Sequence, residues 1–78
     1  MEENRIKPKI IEIVDNQIKI NNPTCTKETL ERLVNAGLSE KESKELIGRV
    51  LLEEMYDILK RQVPFNEDRY AKKLAMLP

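Results

Sequence analysis

The chain has 78 residues, 40% of them apolar, with 14 lysines and arginines set against 14 aspartates and glutamates. That is room for one small domain whose burial energy barely exceeds its ordering entropy, so a deep catalytic pocket beside the core is not expected. The charge is also matched locally, six of each sign through Ser39 and eight of each beyond it, which leaves no basic face for nucleic acid or an anionic membrane.

Residues 1–7 are polar around an isolated Ile6 and read as a flexible N-terminus ahead of a single helical domain over 8–78. Two readings compete from Lys9 to Asn21. A hairpin would pair Ile11 and Ile13 with Ile18 and Ile20 around an Asp15-Asn16 turn, and the β-branched content suits it. At 100° per residue, however, Ile10, Ile11, Ile13, Val14, Ile18 and Ile20 gather on about half of a helical wheel, whereas strand alternation fails at Ile10-Ile11 and Ile13-Val14. Pro8 also suits a first helical turn. The pattern favours a helix over 9–21, ended by Asn21-Asn22-Pro23, with the hairpin as the alternative.

A second helix is expected over 26–36. Thr24 or Thr26 offers its cap, Glu28 sits where the helix dipole favours an anion, and Leu30, Leu33 and Val34 form its apolar stripe. Gly37 ends it, because glycine enters the left-handed conformation without steric cost. Ser39-Glu40-Lys41-Glu42 then reads as a capping box with Leu38 as a hydrophobic staple.

The third helix, 40–62, stops before Pro64. Leu46, Ile47, Val50, Leu51, Leu52, Met55, Ile58 and Leu59 spread over about 240° of its wheel, which marks it as the central helix. Its remaining arc carries Glu42, Glu45, Arg49, Glu53, Asp57 and Lys60. Val63-Pro64-Phe65-Asn66 turns the chain, Asn66 caps, and Tyr70, Leu74 and Leu77 line a last helix over 67–76. The expected fold is all-α, a compact array of four helices with a long third one.

The segments Asn22-Pro23, Thr29-Leu30-Glu31-Arg32-Leu33, Gly37-Leu38-Ser39, Leu46-Ile47, Val50-Leu51, Glu53-Glu54-Met55 and Pro64-Phe65-Asn66 through Arg69-Tyr70 resemble a family of short bacterial all-helical proteins, a domain of unknown function. The resemblance covers residues 9–78. It implies a bacterial or archaeal cytosolic protein with a helical fold, and it carries no activity to transfer.

Without histidine, Ser-His-Asp, Cys-His and histidine-containing zinc sites are excluded within one chain. Cys25, the single cysteine, cannot form an intrachain disulfide; it is either a thiol activated by a helix dipole or a small apolar residue in a core. Tyr56, Phe65 and Tyr70 are too few for a base-stacking platform. The start, Met1-Glu2-Glu3-Asn4-Arg5, lacks a signal peptide's apolar stretch, and the longest apolar run is the four residues from Leu74 to Leu77, too short to span a membrane. A cytoplasmic protein with no nucleic acid or membrane partner is the expectation.

Ala36-Gly37-Leu38-Ser39 invites a helix-turn-helix reading, but the helix that would enter the groove begins with three acids against two lysines. The same glycine turn resembles the loop of ubiquitin-associated three-helix modules, whose third helix is shorter than the one expected here. Glu42, Glu45, Glu54 and Asp57 spell two acidic pairs that resemble the magnesium-binding pairs of all-helical nucleotide pyrophosphohydrolases. Both pairs fall on one helix, however, with Glu42 and Glu54 about 18 Å apart along it, too far to share an ion. Glu12 and Asp15 could supply a pair from the first helix.

Glu54 stands out because it falls among Ile47, Val50, Leu51 and Ile58. It is either a perturbed acid or ligand in a cleft, or a buried carboxylate satisfied by a helix N-terminus or an arginine such as Arg32. The functional expectation is a non-enzymatic module without cofactor that binds a protein partner or itself, through Leu52, Tyr56, Leu59 and Phe65 on the arc its neighbours leave uncovered. A metal-assisted hydrolase or nucleotide-handling subunit with an acidic site completed between chains is the alternative.

Overall fold

The computed structural model describes the backbone of residues 2–77 and the side chains of residues 9–77. Four helices follow in chain order: α1 (Glu2–Ile20), α2 (Thr24–Asn35), α3 (Glu40–Arg61) and α4 (Glu67–Ala75). The Asp15-Asn16 turn of the hairpin reading lies inside α1. Ile10, Val14 and Ile18 recur every fourth residue and stack about one turn apart on its inner face. Ile13 and Ile20 fall outside that face and stay exposed. The helical backbone runs on from Glu2, and the flexible start expected over 1–7 concerns residues whose side chains lie outside those described.

At the α1–α2 corner Asn21 takes a left-handed conformation, and the backbone N–H of Asn22 donates to the Gln17 carbonyl at 3.0 Å. Here the threonine expectation is corrected. Pro23 occupies the N-cap position and no side chain caps α2, because the hydroxyl of Thr26 turns inward instead and donates to Oε1 of Gln17 at 2.8 Å. Since α2 begins at Thr24, Glu28 falls beyond its first turn. Thr26, Thr29 and Leu33 are its buried residues, while Val34 of the expected stripe is exposed.

The exit from α2 follows the local code closely. Gly37 sits at φ +106, its N–H donates to the Val34 carbonyl at 3.0 Å, and the Leu38 N–H reaches the Leu33 carbonyl at 3.1 Å. This crossed pair closes the orphan carbonyls of a helix end. Two residues on, Ser39 Oγ accepts from the Glu42 N–H while a Glu42 carboxylate oxygen accepts from the Ser39 N–H, each at 3.0 Å. Those bonds hold the Glu42 carboxyl below the ordinary carboxylate range.

α3, the longest helix, ends at Arg61 with Gln62 left-handed behind it. It packs against α1, α2 and α4, and α2 in turn contacts all three of the others. The core comprises Ile10, Val14, Leu33, Ile47, Val50, Leu51, Tyr70 and Leu74, with at least one residue from every helix. Gly48 lets α1 approach α3: a Cβ placed there would lie 2.9 Å from Ile10 Cγ2, inside van der Waals contact. Asn66 caps α4 by accepting from the Arg69 N–H at 2.9 Å, and no described helix is long and apolar enough to cross a membrane.

Candidate functional site

Glu54 is fully buried in the α3–α4 seam. Its partner is not Arg32. The Asn66 cap starts α4 so that Arg69 and Lys73, one turn apart, both face the carboxylate. Arg69 Nε lies 2.8 Å from Oε2 and 3.1 Å from Oε1, Arg69 Nη2 is 2.8 Å from Oε2, and Lys73 Nζ is 3.4 Å from Oε1. Lys73 also stands 3.6 Å from Asp57 and 4.0 Å from Glu53. Arg32 instead reaches from α2 to the far end of α4, where its guanidinium donates to the carbonyls of Leu74 at 2.8 Å and Leu77 at 3.0 Å. There it satisfies helix-end acceptors and meets the negative pole of the dipole.

The hydrogen bonds from Arg69 hold the Glu54 carboxyl below the ordinary carboxylate range, against the opposing pull of burial. A carboxylate held ionised by two cations is a poor proton donor at neutral pH, and its oxygens are already engaged. Glu54 therefore acts as a clasp between α3 and α4. Of the other acids of the metal reading, Asp57 shares Lys73 with Glu54. Asp15 is paired with Lys44 at 2.7 Å, Glu42 closes the capping box, and among the described residues no three His, Cys, Asp or Glu side chains form a group that could hold a metal ion.

A second polar junction joins α1, α2 and α4. Gln17 Oε1 accepts from the Thr26 hydroxyl at 2.8 Å and from the Tyr70 hydroxyl at 3.3 Å, with Thr26 and Tyr70 fully buried. Burial pushes the Tyr70 phenol up to about 12, so it remains a neutral donor. Cys25 beside it is half-buried, and its thiol is pushed up first by burial and then by Glu67; the helix dipole does not activate it.

The interaction candidates separate into two groups. Leu52 (38% exposed), Tyr56 (71%) and Leu59 (78%) share the outer face of α3 with Met55 (36%). Their spacing of i, i+3, i+4 and i+7 makes one continuous ridge. Phe65 lies apart from them in sequence, and its ring packs at 5.5 Å and 60° against that of Tyr70, so it partly shields the α4 core. Met55 joins the ridge although its sequence position alone was compatible with burial in the wide apolar arc. Gly48 and the Gln17–Thr26–Tyr70 junction carried no sequence signal strong enough to single them out, since a lone glycine or glutamine in a helix predicts no partner. No family model matches the chain, and neither a curated protein nor a solved structure does.

Proposed function

We propose that this protein is a non-enzymatic helical interaction module whose contact surface is the α3 ridge. One observation carries the reading: Leu52, Met55, Tyr56 and Leu59 stand exposed in a row on the helix that otherwise supplies much of the core. Exposed apolar side chains scattered singly need no explanation, but a contiguous stripe at helical spacing is the form in which helices are read by grooves and by other helices. The engagement of Glu54 by Arg69 and Lys73 supports the same reading by taking the most conspicuous acid out of solvent chemistry. The inter-chain acidic site has no comparable observation behind it. A cytoplasmic location accords with the single free thiol.

The test is site-specific photo-cross-linking in living cells, with a benzophenone side chain at Leu59 and, as the comparison, at the exposed Lys27 of α2. A discrete adduct from position 59 that is absent from position 27 is expected. Identical patterns at both positions, or none at either, would refute a ridge-specific contact.

A further inference from the structure

Resting on that reading, we infer that the occupant of the ridge is a second copy of this chain, docked antiparallel about a two-fold axis that crosses α3 between Tyr56 and Asp57. The charges flanking the ridge lead to this arrangement. On the wheel of α3, Glu53 and Lys60 lie on the same side of the Leu52–Leu59 line, seven residues apart. In an antiparallel two-fold pair the same flank of each helix faces its counterpart. An axis between residues 56 and 57 places Glu53 of each copy level with Lys60 of the other, giving two reciprocal opposite-charge pairs. The same axis lets Leu59 of each copy drop among Leu52, Met55 and Tyr56 of the other, so the apolar and charged registers coincide.

The flank is available. Glu53 is largely exposed, and its contact to Lys73 is the longest ion pair of the α4 clasp, at 4.0 Å; Lys60 is exposed as well. The four ridge residues and the flanking Arg49, Glu53 and Lys60 are all exposed and share one side of α3. A parallel pairing would instead set this flank of each helix against the opposite flank of the other, which carries Leu51, Ile58 and Gln62, so neither Glu53 nor Lys60 would meet an opposite charge.

The decisive experiment is sedimentation equilibrium on the full chain and on two charge variants, Glu53→Lys and Lys60→Glu, alone and mixed in equal amounts. The wild-type chain is expected to dimerise. Each variant alone faces two like-charge pairs and should associate about tenfold or more weakly, and the mixture should recover wild-type affinity because both pairs are restored between unlike copies. As a geometric check that avoids charge, Tyr56→Cys in a Cys25→Ser background should form an inter-chain disulfide on mild oxidation. Arg49→Cys, about 22 Å from its counterpart at 1.5 Å rise per residue, should not. A wild-type monomer at millimolar concentration, or a mixture no tighter than its components, overturns the second-copy assignment. In that event an adduct from position 59 to a different protein would leave the interaction module standing, whereas no adduct would remove both.

Discussion

Two faces of α3 invert the usual rule of apolar in and charged out. On one, Glu54 is fully buried; on the other, about half a turn away, Tyr56 and Leu59 are among the most exposed apolar side chains described. Both residue types lie on the same helix within five positions, so helix propensity and local spacing cannot account for the difference. Neighbours do. α4 presents Arg69 and Lys73 to Glu54 and so offsets the cost of taking a carboxylate out of water. The described residues of the other three helices leave the opposite side of α3 uncovered over its C-terminal half. Burial of a charge thus depends on a partner delivered from elsewhere in the chain, and exposure of an apolar ridge depends on a partner the fold does not deliver.

The largest way to break this contrast is to remove the buried charge. Glu54→Ala leaves Arg69 and Lys73 facing a cavity and should cost about 3 kcal/mol, near the low end for breaking a buried pair because both cations can turn outward to solvent. In a domain of this size that lowers the melting temperature by roughly 12–24 °C in thermal unfolding. A loss under about 1 kcal/mol would show that the clasp contributes little.

Acid should act on the same face. The folded-state pKa of Glu54 is depressed, so its contribution to stability is complete above the ordinary carboxylate range, about 4.3 for a free glutamate, and is lost as pH falls through the depressed value. Urea unfolding between pH 7 and pH 2 should show this decline, and Glu54→Gln should flatten it. An equal decline in the variant would assign the acid sensitivity to other carboxylates.

The third side of α3, where α1 presses on Gly48, sharpens the comparison with a smaller effect. Gly48→Ala gains about 1 kcal/mol of helix propensity but sets a methyl 2.9 Å from Ile10 Cγ2, and overpacking of this kind costs ~1–3 kcal/mol. A net loss of about 1 kcal/mol is expected. In an Ile10→Ala background, which removes the clash, the sign should reverse, and a loss that persists there would contradict the close approach. The smallest effect belongs to the ridge. Leu59→Lys should change monomer stability by no more than about 0.5 kcal/mol while abolishing self-association. Destabilisation by 2 kcal/mol or more would mean that the ridge belongs to the core.

How far the sequence reached depended on the range of the interaction concerned. Gly37 with Ser39 and Glu42, and Asn66 with Arg69, act within a turn of helix, and the structure places these caps where the residues indicated. Thr24 and Thr26 were compatible with a cap by the same local rule. The rule failed because Gln17, nine residues away from Thr26 and on another helix, offers its hydroxyl an acceptor. The ambiguity at α1 was of the same origin: β-branched isoleucines tolerate either conformation, and only packing of Ile10, Val14 and Ile18 onto one surface selects the helix.

The sequence by itself determined the last three helices and their approximate limits, the turn at Gly37 and the primacy of α3, because capping bonds and apolar periodicity are encoded within a few residues. Only the tertiary structure decided that Arg69 and Lys73 hold Glu54, that Arg32 closes the end of α4, that α1 rests on Gly48, and which part of the 240° apolar arc stays open. A helical wheel gives the width of an apolar face, whereas which segment of it meets water is settled by where three other helices come to lie.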